Sequence, residues 1–85
     1  MARIFFTSIA ERDYKKLPLD EQERIKTVFD GRFAEYPFAS EFHTKKLKEP
    51  LIGYRLRIGH YRILFEYEMN TITVYKIRHR KDAYK

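Results

Sequence analysis

The sequence predicts an α+β domain of order β-α-α-β-β-β: a three-stranded meander and an N-terminal strand form an antiparallel sheet, with two helices packed on one face. Three observations lead there. Apolar and charged residues alternate through Tyr54-Arg55-Leu56-Arg57-Ile58 and again from Tyr61, with Gly59-His60 between them as a two-residue turn. Ile25, Val28, Phe29, Phe33 and Tyr36 recur instead at helical spacing, up to Pro37. With three glycines and three prolines in 85 residues, and no low-complexity tract or internal repeat, the chain has no linker, so residues 1–85 form a single domain.

Taken in order, Arg3-Ile4-Phe5-Phe6 is a short first strand. Ser8 and Glu11 have capping-box spacing and open a brief helix, with Ala10, Tyr14 and Leu17 on one face, that Pro18 stops. Asp20 and Glu23 repeat the cap signal ahead of the second helix, whose aromatic stripe belongs to the core. Phe42-His43-Thr44-Lys45-Lys46-Leu47-Lys48-Glu49-Pro50 is a basic loop or edge extension leading into the hairpin. In that hairpin Ile58 faces Tyr61, Leu56 faces Ile63, Tyr54 faces Phe65 and, on the other side, Arg57 faces Arg62. Met69-Asn70 is the next turn and Thr71–Ile77 the last strand, pairing Phe65 with Val74, Tyr67 with Ile72 and Arg62 with Ile77. That parity directs His79 toward the arginines, near His60.

Charge is divided along the chain. Residues 1–42 hold seven Lys/Arg against eight Asp/Glu, a net of −1, whereas residues 43–85 hold eleven against four, a net of +7. A basic, aromatic-containing half that alternates like strands fits a polyanion such as RNA better than a membrane surface. Opposed guanidinium groups repel, and a phosphate between them offsets that cost. The chain has no cysteine, which excludes disulfides and thiolate chemistry, and no apolar run of membrane-spanning length. Its start, Met-Ala-Arg-Ile-Phe-Phe-Thr, lacks the apolar core of a signal peptide, so a cytoplasmic location is expected. The three histidines lack partner carboxylates at metal-ligand spacing, and neither Ser8 nor Ser40 has a nucleophile-elbow context, so no metal and no cofactor is expected.

The terminal run Ile77-Arg78-His79-Arg80-Lys81-Asp82-Ala83-Tyr84-Lys85 offers His, Arg and Tyr together. Cleavage of RNA through its 2′-hydroxyl needs a base, cations for the charge growing on the phosphorane, and an acid for the departing 5′-oxygen. Histidine exchanges protons near neutral pH, while arginine keeps its proton and serves as a clamp.

Lys46-Leu47-Lys48, the strand motif from Tyr54 to Phe65 and the stretch from Ile72 to Tyr84 resemble the RelE/ParE toxin superfamily, its RelE branch best. The resemblance covers the whole chain in element order. It implies the toxin of a type II toxin–antitoxin system, a ribosome-dependent endoribonuclease that cleaves mRNA in the A site and inhibits translation. On that resemblance Arg62, Arg80 and Tyr84, with His79 as general acid or base, are the catalytic candidates. Arg55 and Arg57, with Lys45, Lys46 and Lys48, are the candidates for holding RNA phosphates. The well-known branch carries lysines where this chain has Arg55 and Arg57, which are poor proton acceptors; His60 and Glu66 stand behind His79 as alternatives. The implied partners are a RelB-like antitoxin that masks the basic sheet and contributes to operator DNA binding, the ribosome and its mRNA. A ParE-like inhibitor of DNA gyrase and a non-catalytic RNA- or ribosome-binding domain are the alternative readings.

Overall fold

The computed structural model describes residues 2–81. Strand β1 (Arg3–Phe6) leads into helices α1 (Ser8–Lys15) and α2 (Leu19–Asp30), two short 3-10 turns (Arg32–Ala34 and Ser40–Phe42), and strands β2 (Lys45–Lys46), β3 (Tyr54–Ile58), β4 (Tyr61–Glu68) and β5 (Thr71–His79). The sheet order is β1-β5-β4-β3-β2. The meander is antiparallel as expected, whereas β1 runs parallel to β5, and the basic segment before the hairpin adds the two-residue edge strand β2.

Both helix starts differ from the sequence expectation. Thr7, one residue before Ser8, caps α1: its Oγ1 accepts the Ala10 N–H at 3.2 Å. α2 begins at Leu19 after Pro18 with no side-chain cap, which leaves Asp20 inside the first turn, where a carboxylate favours the positive end of the helix dipole. The second helix also ends early, at Asp30, and Gly31 passes the chain into a 3-10 turn. Phe33 is still fully buried, but Tyr36, expected in the core, is 55% exposed with the Arg32 guanidinium over its ring.

The core lies between the helices and one face of the sheet, where Ala10, Ile25, Phe29 and Phe33 meet Leu56, Ile63, Phe65, Ile72 and Val74. Edge-on or stacked ring contacts link Phe6 to Phe29, Phe29 to Phe33 and Phe33 to Phe65. Gly59 has φ +59 and His60 does not have positive φ, the pattern of a type II′ hairpin turn; Met69 and Asn70 both have positive φ, the pattern of type I′. All five β3–β4 pairs follow the expected register, including Arg57 opposite Arg62.

β5 departs from it. Phe65 pairs with Val74 but Leu64 pairs with Lys76, so Tyr75 is an extra residue in a β-bulge. Beyond the bulge the parity reverses: Arg62 faces Arg78, not Ile77, and His79 faces Tyr61. β1 ends its pairing at Val74. Further along β5, α1 takes over: Thr7 Oγ1 donates to the Tyr75 carbonyl at 3.5 Å, and an Asp13 carboxylate oxygen accepts the Ile77 N–H at 3.0 Å.

Candidate functional site

Opposite the helices, cross-strand pairing builds two cationic rows. Arg57, Arg62 and Arg78 form one, each on a different strand of the meander. Lys45, Arg55, Leu64 and Lys76 form the other. Directly opposed like charges are unfavourable by some tenths of a kcal/mol to about 1 kcal/mol, so the first row stores repulsion that an anion would relieve. Arg57 is exposed, and Arg62 and Arg78 are partly so. Arg62 Nη1 donates to the Arg80 carbonyl at 3.0 Å, and the Arg80 N–H donates to the His60 carbonyl at 2.7 Å. The hairpin turn, the end of β5 and the middle arginine of the row are thereby held together, with Arg80 exposed beside them.

The bulge places His79 differently from expectation. By register it shares the side of Tyr61, the helix side, rather than that of the arginines. It does lie by His60, their rings 6.2 Å apart and nearly parallel, with Tyr61 edge-on at 5.4 Å. His79 Nδ1 accepts the Lys81 N–H at 3.3 Å, so in the neutral ring the proton sits on Nε2. Tyr84 lies outside the described residues.

Residues 47–53 form a strap against the same face. Its ends meet through Leu47 N–H to the Gly53 carbonyl at 2.8 Å, and Tyr75, at the bulge, donates its hydroxyl to the Ile52 carbonyl at 2.6 Å. Gly53 has φ +94 and rests on β4 so closely that a Cβ would come within 2.3 Å of the Phe65 carbonyl oxygen. Burial, and secondarily Glu66, raises the Tyr75 phenol above its ordinary value, which keeps it a donor. Arg55 is only 8% exposed, and its buried Nη1 has no hydrogen-bond partner among the described residues. Of the phosphate-binding candidates, Arg57 therefore stands in the open row, while Arg55, Lys45, Lys46 and Lys48 surround a cavity of about 280 Å³. Glu66 stays on the cation face opposite Thr73, toward the far end of the sheet. Among the described residues no group of three His, Cys, Asp or Glu side chains could hold a metal.

Sequence reasoning missed Arg78, Lys76 and Tyr75. A signal was present: the apolar positions of β5 are Ile72, Val74 and Ile77, and the step from two residues to three marks the bulge.

A mostly antiparallel sheet carrying two helices on one face is the RelE fold. The profile of the ParE toxin of type II toxin–antitoxin systems, parDE, matches residues 4–84, and the chain belongs to this family. Its fold is similar to the Mycobacterium tuberculosis toxin–antitoxin complex RelBE2, at 27% identity and a TM-score of 0.80, covering 93% of this chain and 98% of that one. The RelB–RelE antitoxin–toxin complex of Methanococcus jannaschii is similar at 29% identity and a TM-score of 0.77, covering 94% of each chain. The intact Escherichia coli RelBE complex, at 17% identity and a TM-score of 0.71 over 91% of this chain and 94% of that one, shares the fold. No curated protein matches the sequence. No helix among the described residues is long and apolar enough to cross a membrane.

Proposed function

We propose that this toxin cuts mRNA in the ribosomal A site, in the cytoplasm, and that a RelB-like antitoxin neutralises it by covering the cation face. The observation that carries this reading is the cross-strand row Arg57–Arg62–Arg78, its central member tied to the Arg80 carbonyl. In the proposed reaction the 2′-oxygen loses its proton and attacks phosphorus, the bond to the 5′-oxygen breaks, and that oxygen takes up a proton. Negative charge grows on the non-bridging oxygens between these events. Guanidinium groups held in place before the reaction stabilise that charge without reorganising. Arginines keep their protons, so the row clamps and does not exchange protons. Arg80 adds a cation beside Arg62, and Tyr84 supplies a ring to stack on a base or a hydroxyl to donate. His79 holds the 79–81 segment through the Lys81 N–H and so positions Arg80. With no arginine able to accept it, the 2′-proton goes to ribosomal RNA or water, and the same ribosomal groups or water return a proton to the departing 5′-oxygen.

The antitoxin part of the proposal draws support from the complexes of the two similar toxins with their antitoxins. With it, the pair would bind operator DNA. The ParE name of the matching family favours a second reading, inhibition of DNA gyrase. One experiment separates them: the chain is induced in cells, 5′ ends are mapped on translated mRNAs, and gyrase supercoiling is assayed in parallel. New 5′ ends inside coding regions with supercoiling intact are expected; lost supercoiling with intact mRNAs would establish the second reading.

A further inference from the structure

Phe38 is an apolar ring left half in water, at 49% exposure, on a firm base. Tyr67 stacks beneath it, with ring centroids 5.4 Å apart and planes within 9°, while Tyr54 meets it edge-on at 4.9 Å and leads on to Phe65 in the core. The backbone that carries the ring is tied down as well. The Ala39 N–H donates to the Tyr36 carbonyl at 3.0 Å, and Thr44 Oγ1 donates to the carbonyl of the buried Pro37 at 2.7 Å. Phe38 and Tyr67 share an open cavity of about 390 Å³ with Tyr36, Arg32 and Glu35. Tyr67 pairs with the core residue Ile72, so the cavity belongs to the helix side of the sheet and not to the arginine row.

We propose that this aromatic slot receives an unpaired guanine base. Three features select it. A ring already stacked from below and open to water offers a second flat group a place in the same stack, which is how proteins hold splayed bases. The local charge disfavours a phosphate, because Arg32 is engaged by Glu41 at 3.3 Å and lies 5.2 Å over the Tyr36 ring, while Glu35 adds an exposed carboxylate to the cavity wall. That carboxylate only accepts hydrogen bonds, through two adjacent oxygens, and guanine alone among the RNA bases presents two adjacent N–H donors, at N1 and N2, on its Watson–Crick edge. An unpaired guanine of ribosomal RNA and a free guanine nucleotide share this chemistry. As a contact with ribosomal RNA the slot rests on the reading given above and is a docking contact, on the other side of the sheet from the cut.

The test titrates the purified full chain with GMP, CMP and inorganic phosphate in turn, followed by NMR of the aromatic rings and backbone amides. GMP and CMP carry the same phosphate, so their difference reads the base. GMP is expected to give saturable shifts centred on residues 35–39 and Tyr67, with an affinity on the order of 1 mM, and CMP to bind there about tenfold or more weakly. Phosphate alone should leave these signals unmoved. Phe38→Ala should lower the GMP affinity about fivefold to 100-fold, and Phe38→Tyr, which keeps the ring, should retain it. Glu35→Gln, an exposed substitution that leaves the stack intact, should bring GMP down toward the affinity of CMP. On programmed ribosomes Glu35→Gln is expected to raise KM with kcat unchanged, which assigns the slot to ribosomal RNA; guanine binding with an unchanged KM assigns it to the free nucleotide. Equal binding of GMP and CMP, unsaturable shifts, or shifts confined to Arg57, Arg62 and Arg78 would overturn the proposal. GMP binding by a chain that leaves mRNA intact upholds the slot and refutes the ribonuclease, while cleavage by a chain that does not bind GMP refutes the slot alone.

Discussion

Replacing Arg62 by alanine separates charge stabilisation from support of the fold. Arg62 stands between Arg57 and Arg78, and its Nη1 donates to the Arg80 carbonyl at 3.0 Å. Removing the guanidinium deletes, among its contacts, the hydrogen bond to the Arg80 carbonyl, worth about 1 kcal/mol net. It also removes two like-charge contacts, each unfavourable by roughly 0.2–1 kcal/mol. These effects oppose one another, so the change in stability should be on the order of 1 kcal/mol, a shift in Tm of roughly 4–8 °C. The rate is not protected in this way. Losing a preorganised donor at developing oxyanion charge costs roughly 100- to 1000-fold. Single-turnover cleavage on programmed ribosomes measures the rate, with thermal unfolding as its companion. Arg62→Lys, which keeps the charge but loses the planar fork, should fall between the two. A folded Arg62→Ala protein that cleaves at the wild-type rate would refute the assignment.

Other substitutions test the scaffold behind the row. Asp13→Ala leaves the Ile77 N–H without its acceptor and should cost about 1–3 kcal/mol in urea unfolding, with Asp13→Asn recovering most of it. Tyr75→Phe should cost about 0.5–1.5 kcal/mol at neutral pH by releasing the Ile52 carbonyl. Because the folded chain raises the Tyr75 phenol above its ordinary value of 10.0, this stabilisation is complete below pH 10 and lost as pH climbs through the raised value; Tyr75→Phe should flatten that alkaline limb of the stability curve. His79→Asn places an amide oxygen where Nδ1 accepts the Lys81 N–H and should keep most of the cleavage rate and its pH profile, whereas His79→Gln should lose about tenfold or more. A neutral-range limb that disappears in His79→Asn would make His79 a proton-transfer group instead.

What could be read from the sequence follows the range of the forces involved. The β3–β4 hairpin was legible pair by pair because alternation and a two-residue turn fix register locally. The helices were legible as stripes, but their ends were not: Thr7 outcompetes Ser8 as a cap because of where the chain leaves β1, and Gly31 turns Phe33 inward without continuing the helix. The parallel pairing of β1 with β5 joins residues far apart in sequence, for which no local pattern exists. The burial of Arg55 under the strap was equally hidden, since a lysine-rich run before a strand reads as solvated surface until the turn at Gly53 folds it back.

The bulge at Tyr75 shows how one residue governs the chemistry of the face. A regular β5 would put Ile77 opposite Arg62, exposing an apolar side chain in the middle of the cationic row and burying Arg78 against the helices. The extra residue exchanges them: Ile77 joins the core at 4% exposure, and Arg78 becomes the third guanidinium. The same reversal moves His79 to the side of Tyr61, away from the row, where an even alternation would have put a histidine beside the arginines. The bulge lies just past Val74, where β1 stops pairing and α1 supplies Thr7 and Asp13 in place of a neighbouring strand. Side-chain partners tolerate an irregular backbone that a strand ladder would resist. The short β1 and the polar face of α1 thus permit the irregularity that builds the row, which ties the cation site to residues on the opposite layer of the fold.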